Sequence, residues 1–134
     1  MSNAAIVERY FQAISSGDVA GAVACFAPGA DFVGPMGPVP VPAGLTAYLQ
    51  GFEDSFPRAR MHATNTIEQG DQIAVEGVWV GKHTAPLQLP DGRQIPASNR
   101  EARGPFMASF RVRDGKIAMH HIYWDLAAFM AQIT

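Results

Sequence analysis

The chain has 134 residues, 48% of them hydrophobic and only 16% charged, a balance that excludes intrinsic disorder and suits one domain spanning residues 1–134. Ten Lys and Arg against 12 Asp and Glu leave a net charge of −2 with the signs interspersed, which argues against a nucleic-acid binder and its concentrated basic face. No run approaches the roughly 20 apolar residues of a membrane span, and the first residues lack the pattern of a signal peptide. The single Cys25 builds neither an internal disulfide nor a zinc site, so a cytoplasmic location without a metal is expected.

Ile6, Val7, Tyr10, Phe11 and Ile14 fall on one stripe at helical spacing, opened by Ser2 or Asn3 and stopped by Ser15-Ser16-Gly17. Asp18 is an N-cap for a second short helix that turns Val19, Val23 and Phe26 inward, and Ala27-Pro28-Gly29 ends it. A brief extended piece, Asp31 to Val33, leads into Gly34–Pro42, too rich in Pro and Gly for a helix or an inner strand. Leu45, Tyr48, Leu49, Phe52 and Phe56 then mark a third helix, closed by Pro57.

From Arg60 the period changes to two. Met61, Ala63, Asn65 and Ile67 alternate with polar residues as a half-buried strand, and Gln69-Gly70-Asp71 turns into a second strand from Gln72 to about His83. A loop covers Thr84 to Ser98. Two long strands, Asn99 to Arg113 and Lys116 to Asp125, flank Asp114-Gly115, and Leu126 to Ile133 reads as a terminal helix. Helices followed by consecutive antiparallel strands predict an α+β domain with helices covering one face of a curved sheet.

Asp-Gly between alternating runs favours a two-residue type I′ turn, which fixes register. Carried along the strands without interruption, it sets Phe110 opposite Met119, Ala108 opposite His121, Phe106 opposite Tyr123 and Gly104 opposite Asp125. Large polar side chains facing small ones leave space, and space beside polar groups is how a pocket is built. His121, Tyr123 and Asp125 then point to one side of their strand, about 6.6 Å apart at each step of two. A partly desolvated carboxyl there moves protons near neutral pH, as an imidazole does unperturbed. The plainer alternative makes Asp125 the N-cap of the terminal helix and His121 a core histidine, and capping is compatible with a pocket role. On the same reading His120 faces outward. So do Met107, Ile122, Trp124 and Pro105, an apolar group that suggests a homodimer through the sheet face; scattered surface hydrophobes are the alternative.

Tyr10-Phe-Gln-Ala-Ile with Gly17-Asp18, Cys25-Phe-Ala-Pro, Phe56-Pro, Glu68-Gln-Gly-Asp, Gly81-Lys-His-Thr-Ala-Pro-Leu, Phe110-Arg-Val-Arg-Asp-Gly-Lys-Ile and Tyr123-Trp-Asp-Leu together resemble the SnoaL-like polyketide cyclases, within the superfamily shaped like nuclear transport factor 2. The resemblance runs over nearly the whole chain. It implies a cone-shaped roll with a pocket opening at one end, dimers paired through the sheet, and an intramolecular aldol condensation without cofactor or metal. The resemblance puts Asp125 at the position of the acid/base aspartate and His83 near the pocket. The Pro-rich loop departs from the family pattern, and Phe32, Met36, Tyr48, Phe52, Trp79 and Phe106 point to a narrow, apolar pocket.

Three further residues carry two readings each. Trp79 lines the pocket or packs in the core, Asn65 contacts a ligand or finds partners within the protein, and Tyr10 sends its hydroxyl into the cavity or simply packs. The leading expectation is cofactor-independent acid/base chemistry on a small apolar carbonyl compound, of cyclase, isomerase or dehydratase type, by Asp125 with His121 and Tyr123. The alternative is a non-catalytic ligand-binding or dimerisation module of the same fold. An epoxide-hydrolase arrangement ranks lower, since no inward Arg is expected beside Asp125.

Overall fold

The computed structural model describes residues 2–134. Ser2 accepts the Ala5 amide to open α1 (Asn3–Ser16), and Gly17 closes it at φ 78° with its amide on the Ala13 and Ile14 carbonyls. Asp18 caps α2 (Val19–Ala24) through the Gly21 amide. β1 (Phe26–Gly34) follows at once, then β2 (Gly37–Val39) and α3 (Ala43–Ser55). The long strands are β3 (Arg60–Gln69), β4 (Gln72–Lys82), β7 (Glu101–Arg113) and β8 (Lys116–Trp124), and α4 (Leu126–Ile133) ends the chain. A short ladder of β5 (Leu87–Gln88) and β6 (Gln94–Ile95) orders the segment expected to be loop.

The main sheet runs β2-β1-β8-β7-β4-β3, and the helices pack into its concave side as an α+β cone. Two expectations need correction here. Phe26 is the first residue of a strand rather than the last of a helix, because it pairs with Ile117 and the Ile117 amide bonds the Cys25 carbonyl. Pro28 and Gly29 lie where the β1 register shifts, so the missing proline donor leaves no ladder bond unmade. The sheet is also not wholly antiparallel: β1 and β8 run parallel, and the Pro-rich segment supplies the edge strand β2.

The Asp114-Gly115 turn has φ of 51° and 74°, the two positive values of type I′, and Val112 pairs with Ile117 as the turn requires. The register then slips by one. Arg111 pairs with Met119, leaving Ala118 unpaired, so Phe110 faces His120, Ala108 faces Ile122 and Phe106 faces Trp124. A second bulge at Thr64 shifts β3 against β4 between Ala63 and Asn65. Beyond each bulge every side chain changes face. Asn65 therefore points outward to Glu76 (3.2 Å), and Ile67 is 60% exposed instead of buried.

The interior divides into two apolar clusters. Tyr10, Phe11, Phe106 and Phe110 belong to the larger, between α1 and the sheet; Phe56, Leu87, Phe129 and Ile133 belong to the smaller, under α4 and the loop. Trp79 and Trp124 pack against both. Gly77, opposite Phe106 on β4, has no room for a Cβ: one there would run into the Phe106 ring and the His62 carbonyl. The Gln132 side chain clasps β7 to α4, accepting the Arg103 amide and donating to its carbonyl.

Candidate active site

A cavity of about 260 Å³ opens between the two clusters. Its walls are Phe32 from β1, Tyr48 and Phe52 from α3, Phe56 at the C-cap of that helix, Trp79 from β4, Phe106 from β7, Ile122 and Trp124 from β8, and Phe129 from α4. Few lining residues are polar: Tyr10, Tyr48, Glu53, Arg103, His120, Asp125 and Gln132.

Asp125 sits where β8 gives way to α4. Its Oδ1 accepts the Ala128 amide at 2.9 Å, so it caps the helix and borders the cavity at once. Burial raises the Tyr48 hydroxyl to about 12 and raises Tyr10 further still, so both phenols stay protonated hydrogen-bond donors at neutral pH.

His120 is fully buried. Its ring stacks on Phe110, its cross-strand partner, at 4.0 Å and 9°, with the edges of Phe32 (5.0 Å) and Tyr10 (5.5 Å) around it. Nδ1 lies 3.4 Å from the Ser109 carbonyl, which can only accept, so the ring proton sits on Nδ1 and Nε2 keeps its lone pair. Nε2 has no hydrogen-bond partner among the described residues. Burial pushes the imidazole down to about 3, opposed by the Ser109 carbonyl and helped slightly by neighbouring His121.

Of the site residues named from the sequence, Tyr10, Phe32, Tyr48, Trp79, Phe106 and Asp125 border the cavity, and the remaining ones do not. The bulge at Ala118 turns His121 and Tyr123 to the outer face. There His121 Nε2 meets Asp31 Oδ2 at 2.8 Å, and Tyr123 is 60% exposed. His121 therefore does not share a site with Asp125. Met36 occupies the β1–β2 turn outside the cavity, and Asn65 is on the outer face. His83 is buried behind Phe56, stacked on it at 5.0 Å, with Nδ1 accepting the Ser98 amide at 3.1 Å. It anchors the 84–98 loop, and burial lowers its basicity against a smaller opposing effect of the Ala85 backbone.

Ile122 and Trp124 move the other way, into the cavity wall, so of the apolar outer set Pro105 and Met107 remain exposed, Met107 at 43%. Arg103, unexpected beside Asp125, borders the cavity, with its guanidinium largely in solvent 3.6 Å from Glu101. Among the described residues no group of three or more His, Cys, Asp or Glu could hold a metal ion, and no helix is long and apolar enough to cross a membrane.

The SnoaL-like domain family model matches residues 7–120, so the chain belongs to that family. The match ends before Asp125. No curated protein matches the chain in sequence. Among solved structures, a candidate polyketide cyclase from Pseudomonas putida is similar at TM-score 0.85 and 21% identity, over 100% of this chain and 99% of that one. Another candidate polyketide cyclase, from Xanthomonas campestris, is similar at TM-score 0.82 and 24% identity, over 98% and 96%. TerC, crystallised with polyporic acid, is similar at TM-score 0.75 and 22% identity, over 98% and 97%. At these identities the likeness is one of fold.

Proposed function

We propose that the chain, acting as one domain, is an enzyme that moves protons next to the carbonyl of a small apolar compound, without a cofactor, in a cyclase, isomerase or dehydratase reaction. The observation that carries this is a carboxylate, Asp125, at the border of an apolar cavity that also holds two protonated phenols. Asp125 takes the proton from the carbon beside the carbonyl, and a phenol of Tyr10 or Tyr48 donates to the oxygen as enolate charge develops. TerC, similar in fold, was crystallised with polyporic acid, which accords with a small organic ligand for this cavity.

The test uses 2-indanone as a probe, with hydrogen–deuterium exchange at its acidic carbons followed by NMR in heavy water. The wild type is expected to accelerate exchange over buffer. Asp125→Asn should lower that acceleration by about 10²-fold or more, the usual worth of a positioned acid or base. Asn caps helices as well as Asp, so the variant keeps its fold and a comparable melting temperature. A folded variant that exchanges the probe as fast as the wild type refutes the role.

A second reading, a ligand-binding module, is favoured by one observation: Asp125 already spends Oδ1 on the Ala128 amide. Binding of 2-indanone without exchange selects it. A homodimer through the outer sheet face is part of either reading, with exposed Met107 and Tyr123 standing together on that face. Sedimentation is expected to give twice the 14.4 kDa chain mass, and a monomer at micromolar concentration refutes it. A cytoplasmic place of action accords with the single thiol, Cys25, buried and unpaired.

A further inference from the structure

Three glycines stand on the inner face of the two central strands: Gly77 and Gly81 of β4, and Gly104 of β7, which pairs with Trp79. Aromatic rings cover two of them. A Cβ at Gly77 would run into the Phe106 ring, and one at Gly81 would lie 3.0 Å from the Trp79 indole. Gly104 differs. A Cβ there meets nothing within 4 Å, and its φ lies outside the left-handed region, so neither crowding nor backbone conformation calls for glycine. Its large inward neighbours are turned away, Phe106 across to Gly77 and Trp79 along its own strand to Gly81. Glycine weakens a strand interior, where it packs nothing and loses backbone entropy. What it leaves at this point is room, and that room belongs to the cavity. Arg103, Gly104 and Pro105 all line it, and three consecutive strand residues border one space only where the backbone itself is the wall. Trp124 pairs with Phe106, so Asp125 leaves the sheet at the level of Pro105. The helix that Asp125 caps then returns over β7, with Gln132 bonded to the Arg103 backbone. The space over Gly104 therefore lies between a floor of peptide backbone and α4, next to the carboxylate.

We infer that Gly104 sets the size of the ligand: the space over it takes the fused ring of a small two-ring ketone whose carbonyl lies at Asp125, and a side chain at this position closes that space. The inference rests on the reading of this cavity as the site of proton transfer. At about 260 Å³ the whole cavity falls below the range of drug-sized sites, so the few carbon atoms of one side chain decide what fits. A flat ring suits the slot, because its floor is backbone and Trp79, Trp124 and Phe129 border it with aromatic surface. Gly77 has no such role, since its missing Cβ is replaced by the Phe106 ring and not by ligand.

The experiment compares 2-indanone with cyclopentanone, which keeps the five-membered ketone and lacks the fused ring, by hydrogen–deuterium exchange in heavy water. In Gly104→Val the ratio of the 2-indanone rate to the cyclopentanone rate should fall at least about tenfold below that of the wild type, as expected when a ligand ring meets an overfilled site. Gly104→Ala should give a ratio between the two. The melting temperature of the Val variant should equal or exceed that of the wild type, because Val favours strands and fills empty space. A purely structural role for Gly104 would lower both rates together and leave their ratio unmoved. An unchanged ratio in the folded Val variant overturns the inference, while 2-indanone exchange by the wild type keeps the proposed activity standing. If the Val variant does not fold, the Ala ratio decides, and no fall there overturns the inference. If the wild type binds the ketones without exchanging them, the same ratio is read from dissociation constants by calorimetry. If it neither binds nor exchanges either ketone, the inference and the proposed activity fall together.

Discussion

Lowering the pH from 7 to 4 is expected to destabilise the protein by roughly 3 kcal/mol through His120 alone, on top of the usual carboxylate background. In the folded chain this imidazole binds a proton only near pH 3, whereas in the unfolded chain it does so near the ordinary 6.5. Between those values the unfolded state therefore carries the extra proton. Stability is intact above about pH 6.5 and falls by up to about 1.4 kcal/mol per pH unit as acid is added, until the folded value is reached. His83, lowered in the same direction by burial, adds to the loss. Urea unfolding at pH 7, 5.5 and 4 measures the slope. His120→Phe should flatten a large part of it, and equal slopes for variant and wild type would show that His120 is not the buried neutral group described.

Phe56→Ala is expected to cost about 3–5 kcal/mol, the range for deleting a fully buried phenyl ring. Phe56 is fully buried in the smaller apolar cluster. Its ring meets Trp79 edge-on at 5.1 Å, packs on Phe129 at 5.5 Å and stacks on His83 at 5.0 Å. Removing it opens the cavity toward His83 and strips the imidazole that holds the Ser98 amide of its apolar cover. The 84–98 loop should then exchange its amide hydrogens faster than the rest of the chain, a readout that a uniform loss of stability would not produce. A cost below about 1 kcal/mol in denaturant unfolding would mean that the site collapses around the void and that the wall is not built as described.

Much of this was readable from composition and period. The helix stripe of Tyr10 and Phe11, the caps Ser2, Gly17, Asp18 and Asp125, and the Asp114-Gly115 turn all carry local chemistry that acts where it is written. Phe32, Tyr48 and Phe106 were legible as apolar pocket residues because helical and strand spacing hold up to those positions, whereas Trp79 carried two readings. His120 and His121 exchanged places because a bulge has no local signature here. Ala118 is an ordinary small residue, and the unpaired position arises from how β8 lies between β1 and β7. One trace was present. Ile122 and Trp124 both fell on the supposed outer face, and two large hydrophobes at spacing two are better explained by a strand that has changed phase than by a surface seeking a partner. Asn65 and Ile67 misled in the same way through Thr64. His83 behaves differently: its neighbours Phe56 and Ser98 are distant in sequence, and no spacing rule brings them together.

The unpaired Ala118 acts as a frame marker for everything downstream on its strand. Excising that one residue restores unbroken alternation from the turn, which rotates His121 and Tyr123 inward while His120, Ile122 and Trp124 swing out. An aromatic wall with a single lone pair becomes one bearing an imidazole and a phenol, although no side chain of the wall has been replaced. In a fold of this kind a three-nucleotide insertion or deletion exchanges the chemistry of half a binding chamber in one step, a change that successive point substitutions reach only through several destabilised intermediates.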